Sequence, residues 1–398
     1  MRIVILGPVS PSALTAHFQE GDQLQANRDD GAHGPSIGAL ANSLLAMGHE
    51  VVVITHRRGY GSLTMSGPHL EFYRVPSRAS ARAQILDGFR QERRAMAEVL
   101  RRVVGDVVHA HWTYEWALVA MESALPKVVT VHDAPLSVLR KNRSLYWFLR
   151  YLMALRFRAG ASGVSFLAVS PYVGERWAKE VGYKKLPIVI PNTVEVLDAP
   201  ASGEYVNSAQ FIEIANASKL KNVKGLLNAF SVVKQLRSEA TLVLAGTGLD
   251  EDGLIADWAR SSNLATGVVF LGPQPQSEIR HLLQRSTAHV HASLEESFGL
   301  TLIEAMSMRR PVIAGSNSGA TSWVLDEGMS GVLADMNNPK SIASAMLRVL
   351  DDANLRNRVA DSAYERYERL FSPRAVAEAH VAHYERILGA VEDGAVGR

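Results

Sequence analysis

Two glutamates with seven residues between them, Glu296 and Glu304, lie within the run Ser293-Leu294-Glu295-Glu296-Ser297-Phe298-Gly299-Leu300-Thr301-Leu302-Ile303-Glu304-Ala305-Met306. An ionised carboxylate accepts several hydrogen bonds, so Glu304 suits the two vicinal hydroxyls of a ribose and Glu296 a second polyol. Gly299 removes side-chain bulk where a helix is expected to begin, so the first backbone N–H groups can approach an anion with the help of the helix dipole. Taken without context, the same pair also fits two solvated surface charges. A second constellation is Lys219-Leu220-Lys221-Asn222-Val223-Lys224-Gly225, where Lys219 and Lys224 stand five apart just ahead of a helical pattern. Ammonium groups so placed can clamp a diphosphate as point charges, although a lone basic loop equally fits solvent. Gly246-Thr247-Gly248 is a weaker signal, because tight turns between strand and helix use glycine for backbone reasons. His109/His111 and His289/His291 each put two imidazoles on one face of a strand, a spacing that zinc sites share with ordinary strand ends. Neither pair has an evident third ligand, so no metal is expected.

The elements that must hold these residues are legible as short β-branched runs. Ile3–Leu6, Val51–Thr55, Val107–His109, Val128–Val131, Phe166–Val169 and Ile188–Ile190 form one series. Phe211–Ala215, Leu242–Ala245, Val268–Leu271, His289–His291, Val312–Ala314 and Gly331–Leu333 form a second. Continuous Val/Ile/Leu runs mark strands buried on both faces, and helical patterns such as Ile37–Met47 and Arg90–Val104 separate them. The chain therefore reads as α/β, with two doubly wound parallel-sheet domains. Both patterns lapse over Val194–Gln210, which contains Asp198-Ala199-Pro200-Ala201-Ser202-Gly203, so a linker is expected there. The expected domains are 1–198, 199–372 and a terminal helical piece, 373–398. In that piece Val376, Ala379, His380, His383, Tyr384 and Ile387 share a helical face, and Glu392–Arg398 should fray. In open sheets of this kind ligands bind beyond the carboxyl ends of the strands.

Composition removes other classes. The 398 residues exceed what one core usually sustains, and 47% hydrophobic with 21% charged residues describe ordinary globular material. The absence of cysteine excludes disulfides, cysteine nucleophiles and iron–sulfur clusters. A net charge of +2 argues against a nucleic-acid partner. The amino-terminal apolar run is too short for a signal sequence, and no stretch is long enough to span a bilayer, so a cytoplasmic location is expected. A dinucleotide-dependent oxidoreductase would need G-x-G-x-x-G after the first strand, where Gly7-Pro8-Val9-Ser10-Pro11 stands instead.

The sequence resembles the retaining glycosyltransferases of family four, which have the GT-B fold. The resemblance rests on Glu296-x7-Glu304 around Phe298-Gly299-Leu300-Thr301, and it extends over nearly the whole chain through Leu45-Ala46-Met47-Gly48-His49-Glu50-Val51, Val131-His132-Asp133 and Ile190-Pro191-Asn192. It implies two Rossmann-like domains facing a cleft, the first binding acceptor and the second donor, with the last helix crossing back to the first. It also implies transfer from a nucleotide-diphosphate sugar, UDP favoured, to a saccharide, lipid-linked or small-molecule acceptor, with retention and with neither metal nor other cofactor. On this resemblance Lys219 and Lys224 bind the diphosphate, Glu304 the ribose and Glu296 the transferred sugar. The amides of Gly299, Leu300 and Thr301 face phosphate or sugar, Gln274 stands at the base-reading position, and His132 contacts sugar or acceptor. Gly34, after a long loop Pro8–His33, takes the place of a phosphate-facing glycine. A non-catalytic sugar-nucleotide or carbohydrate-binding protein of the same fold is the alternative.

Three positions depart from that pattern. Lys219 replaces an arginine, Thr193 a glycine, and Trp323 a glutamate, which leaves acceptor identity open. Separately, 41 residues from Ala134 to Gly174 contain no acid and six cations, Arg140, Lys141, Arg143, Arg150, Arg156 and Arg158. Together with the aromatics of Leu145–Met153, this suits either packing on the first domain or contact of 140–158 with the inner face of a membrane.

Overall fold

A computed structural model describes residues 1–28, 34–195 and 208–392. The chain folds into two compact units, Met1–Glu195 with Pro373–Arg398, and Val196–Ser372. The expected linker core at 198–203, the 198/199 boundary and residues 393–398 lie outside the described residues.

The first unit is built on strands β1 (Arg2–Leu6), β2 (Glu50–His56), β3 (Leu63–Gly67), β4 (Leu70–Val75), β5 (Val107–His111), β6 (Lys127–Val131), β7 (Val164–Ala168) and β8 (Ile188–Val189). Their order is β3-β4-β2-β1-β5-β6-β7-β8, with every pair parallel except β3 on β4. The chain starts mid-sheet, winds outward through β2 and β4, then returns to build the other half. This puts the reversal of direction between β1 and β5. Ile3, Val4, Ile5 and Leu6 of β1 are wholly buried, as covering helices on both faces require. The β3–β4 hairpin is absent from the sequence reading because its burial alternates, as at an edge with one covered face.

Two further differences concern helices. The stretch expected to be one long loop, Pro8–His33, contains a 3₁₀ helix, Pro11–His17, and an α-helix, Glu20–Arg28; residues 29–33 lie outside the described ones. Leu14 and Phe18 are buried, and Phe18 meets the Phe72 ring edge-on at 6.0 Å. The α-helix buries only Ala26, so it carries no apolar stripe to read. The terminal helix, Pro373–Glu392, packs on helix Pro35–Ala46 of the first unit. Val376, His380, His383 and Tyr384 are buried as expected, but Ala379 is exposed and Ala377 is buried in its place. The face is centred on 380 and 384, so at 100° per residue 377 falls inside its edge and 379 outside.

The second unit holds β9 (Gln210–Ile214), β10 (Thr241–Ala245), β11 (Val268–Gly272), β12 (Ala288–His291), β13 (Val312–Gly315) and β14 (Val332–Ala334). The order is β11-β10-β9-β12-β13-β14, all parallel, and the direction of winding reverses between β9 and β12. Phe211, Leu226, Phe230, Leu244, Val290 and Ile313 lie in one continuous core. At the carboxyl edge Gly246 has φ 132°, and a Cβ there would fall 1.9 Å from the Ala215 carbonyl oxygen. Only glycine allows β9 and β10 to leave the sheet so close together.

Candidate active site

Glu296 stands on the loop that leaves β12 at the reversal point of the second sheet. That loop is fixed by its backbone: the Glu296 amide donates to Ser318 O at 3.1 Å, and the Ala320 amide donates to Glu296 O at 2.9 Å. Its carboxylate faces two donors. Lys221 Nζ ion-pairs with Oε1, and His291 Nε2 lies 3.0 Å from the same oxygen. Burial works to raise this carboxyl, but the hydrogen bond and charge of His291, with Lys221, outweigh it and hold Glu296 well below the usual carboxylate range. Glu296 is thus a fixed anion that cannot serve as a proton donor.

The basic segment forms a 3₁₀ turn, Lys219–Lys221, followed by helix Val223–Leu236. Asn222 adopts a left-handed conformation, φ 53°, between them, and its Nδ2 donates to Met336 O at 2.7 Å. The Leu294 amide donates to Leu220 O at 2.9 Å, which ties this turn to the Glu296 loop. Lys219 is exposed. Lys224 is the second residue of the helix, not part of a loop before it, and its ammonium sits 4.3 Å over the Trp258 ring.

Gly299, φ 92°, caps helix Leu300–Ser307, where a Cβ would meet Leu302 Cδ1 at 2.7 Å. Leu302, Ile303 and Met306 are buried, and Leu300 and Thr301 head the helix, where backbone amides lack intrahelical acceptors. Thr301 Oγ1 bridges the two strand histidines, 3.2 Å from His289 Nε2 and 3.2 Å from His291 Nδ1. One turn on, Glu304 accepts from Gln276 Nε2 at 3.1 Å. Burial pushes the Glu304 carboxyl up to about 7 against the pull of Gln276 and Arg280. Gln274 turns its side chain onto Leu271 O at 2.7 Å. The structure therefore gathers Lys219, Gly299, Leu300, Thr301 and Glu296 along the strand ends of one sheet, with Glu304 in the helix behind them.

In the first unit, Gly34 caps helix Pro35–Ala46 at φ 64°, where a Cβ would fall 1.8 Å from Pro8 O. His132 follows β6. Its Nε2 lies 2.9 Å from His111 Nδ1, and its ring stacks on Trp112 at 4.2 Å. Burial, aided by His380, lowers His132 to about 3, so it is a neutral imidazole. His109 is held between Tyr384 OH and Thr130 Oγ1, each at 2.7 Å. Both His-x-His pairs thus have hydrogen-bonding roles. Among the described residues no three His, Asp or Glu side chains converge as a metal site.

Comparison with known proteins decides the family. The family model described as glycosyltransferase family 4 matches residues 35–196, and that described as glycosyl transferases group 1 matches 197–366. The chain belongs to the family-four glycosyltransferases. It is 25% identical over 382 residues to N-acetyl-alpha-D-glucosaminyl L-malate synthase of Bacillus anthracis, covering 88% of this chain and 95% of that one. It is 26% identical over 384 residues to glycogen synthase of Mycobacterium tuberculosis, covering 89% and 91%. Sucrose-phosphate synthase of Thermosynechococcus elongatus shares the fold, with TM-score 0.71, 18% identity, and 98% and 99% of the two chains covered.

As a GT-B glycosyltransferase, the chain accommodates its departures by packing. Trp323 lies among Phe298 and Phe371, with ring centroids 6.4 Å and 5.8 Å away, and its carbonyl accepts from Arg366 at 2.7 Å. Thr193 is wholly buried, and its amide donates to Ser36 Oγ at 3.1 Å. Arg150 corrects the reading of the acid-free segment. It is not a surface cation but lies 3.9 Å over Tyr114 and pairs with Glu115 at 3.3 Å. Glu213 and Gln276 are site residues that the motifs do not contain; Lys221 lies within the basic motif without a role assigned to it, and His291 enters the sequence reading only as half of a His-x-His pair.

Proposed function

We propose that this glycosyltransferase moves a sugar from a nucleotide-diphosphate sugar, UDP favoured, to a saccharide, lipid-linked or small-molecule acceptor, retaining anomeric configuration and using no metal. The observation that carries this reading is the joining of the Lys219–Lys221 turn, the Glu296 loop and the Gly299-capped helix at one sheet edge. Breaking a nucleotide–sugar bond puts negative charge on the diphosphate and oxocarbenium character on the sugar. Lys219 and Lys224, with the amides of Gly299, Leu300 and Thr301, stabilise the first, and the Glu296 anion the second. Glu304 receives the ribose diol, Gln274 meets the base through its backbone, and Gly34 and His132 serve the sugar or acceptor from the first unit. The solved Anabaena HepE complex with UDP and glucose has the same fold, with TM-score 0.66, 16% identity, and 97% and 100% of the chains covered.

The test is a thermal-shift panel of UDP-glucose, UDP-N-acetylglucosamine, GDP-mannose and ADP-glucose. A ligand that binds only the folded protein raises its melting temperature, by about 2.7 kcal/mol of stability at a hundred times Kd. A UDP sugar should give the largest shift. A larger response to GDP or ADP would overturn the base, and no response to any of the four would overturn the donor reading.

No helix of the described residues is long and apolar enough to cross a membrane. We also place the protein in the cytoplasm with peripheral contact at the inner membrane face. Leu145, Phe148 and Leu152 are 59%, 45% and 43% exposed along one side of helix Leu145–Gly160, beside the exposed Arg140, Arg143 and Arg156. Flotation with phosphatidylglycerol-rich vesicles should weaken after Arg143→Glu with Arg156→Glu, and undiminished flotation would remove the idea. Arg150 is no part of this surface.

A further inference from the structure

A file of polar side chains crosses the reversal point of the second sheet. Glu213 on β9 is wholly buried; its Oε2 accepts the Ala292 amide at 2.8 Å, while Oε1 has no hydrogen-bond partner. That open oxygen lies 4.0 Å from His291 Nδ1 on β12. His291, itself buried, turns Nε2 to Glu296 at 3.0 Å, and Lys221 closes the file at the same carboxylate oxygen. A buried carboxyl with one oxygen unanswered costs stability, and an apolar residue would serve the centre of a parallel sheet better. Its placement behind an imidazole that touches a site carboxylate gives it a use.

We propose that Glu213 and His291 are positioning residues for Glu296: a buried carboxyl–imidazole pair that fixes the carboxylate through the His291 Nε2–H and, by passing one proton between its members, adjusts the charge of that donor. The inference rests on the reading of Glu296 as the carboxylate that faces the transferred sugar.

The proton balance is closed. In one form Glu213 is a carboxylic acid and His291 a neutral ring with an unprotonated Nδ1, Thr301 donating its single hydroxyl proton to His289 Nε2. In the other, the Glu213 proton sits on His291 Nδ1, leaving a carboxylate beside an imidazolium. The transfer requires closing the 4.0 Å between Nδ1 and Oε1 to hydrogen-bond distance. The Nε2–H donates to Glu296 in both forms, and nothing is exchanged with solvent. The second form matters when Lys221 turns from Glu296 toward a donor phosphate, because the imidazolium then supplies the missing cation. The ionisable groups facing the pair are Lys221, Glu296 and His289, whose Nδ1 lies 3.1 Å from Ile212 O. Burial brings Glu213 up to about 7, against the opposing charge of His291, the Ala292 amide and Lys221.

Glu213→Gln keeps an acceptor for the Ala292 amide, and His291→Gln keeps a neutral N–H for Glu296, so each preserves shape while removing the proton exchange. With the nucleotide sugar that gives the largest shift in the panel, both variants should lose roughly tenfold in kcat with donor KM within about twofold. The wild-type kcat should fall on the alkaline side as Glu213 loses its proton, and that limb should be absent from both variants. Imidazole nitrogen NMR should show His291 Nδ1 gaining a proton when UDP binds wild type, and no such change in Glu213→Gln. Native kcat and pH profile in both variants, or an equal loss at every pH with a lowered melting temperature, would overturn the pair. Glu296→Gln is the control: native turnover by it would sink the underlying site reading, whereas its loss alone would isolate the fault in the pair.

Discussion

Glu296→Gln should lower donor turnover by about 100- to 1,000-fold while donor KM moves only a few-fold, the cost typical of removing one transition-state charge contact. Burial alone would favour a protonated Glu296, yet His291 and Lys221 hold it as an anion. A carboxylate held in that state has no proton to give, so its contribution must be charge and hydrogen-bond acceptance. Both matter most when the sugar carries positive character, which is why the loss should fall on kcat. The amide is isosteric and still accepts from His291. Lys221 keeps access to solvent, its side chain being 22% exposed, so the variant should fold. Steady-state release of nucleotide from the donor is the measurement, and a native kcat would remove Glu296 from the sugar site.

Acid should selectively destabilise the first unit, by several kcal/mol between pH 7.5 and pH 5. Burial is the leading cause for each of its clustered histidines. His109 and His111 are held well below their ordinary value, His132 at about 3 and His380 at about 4. In the unfolded chain each binds a proton near 6.5, so the unfolded state holds more protons and stability falls as pH drops through 6.5 toward those lower values. Each ring kept neutral at pH 5 costs about 2 kcal/mol relative to neutral pH. The rings couple, His109 lying 4.2 Å from His111 and 5.3 Å from His380, so the costs do not simply add. In the second unit one histidine, His289, is likewise lowered by burial to about 3, while Glu213 and Glu304 carry the opposite sign. Their carboxyls are raised to about 7, so their burial penalty applies above that value and is relieved as pH falls toward 4.5. Protection factors across helix Pro373–Glu392, which carries His380 and Tyr384, should therefore fall at pH 5 before those of the second sheet do. Equal protection at pH 7.5 and pH 5 would contradict this.

Among the described residues, twelve of the fourteen strands could be read from the chain because each holds a short run rich in apolar residues, most of them buried on both faces. The β3–β4 hairpin and helix Glu20–Arg28 could not, since neither carries an apolar run or stripe. The site was legible where a local motif fixed it, as with Glu296, Gly299 and Glu304. It was not legible where contacts join distant segments: Glu213 reaches His291 from the neighbouring strand, and Lys221 meets Glu296 across two loops. Lys219 and Lys221 share one turn, and only the backbone geometry at Asn222 decides which of them meets the carboxylate. Arg150 looked like a membrane-facing cation for the same reason, because its partners Glu115 and Tyr114 lie in another segment.

The donor site proposed in the second unit is tested most directly by calorimetric titration of UDP into wild type and Lys224→Ala. Lys224 is exposed at the start of its helix, with its ammonium over Trp258, so its removal leaves the core intact. A charge-assisted contact to phosphate is worth about 1.5–3 kcal/mol. Wild type should bind UDP, and Lys224→Ala should bind it at least tenfold more weakly. Equal affinity of the two proteins, or no binding by wild type, would contradict the assignment of this sheet edge as the nucleotide-sugar site.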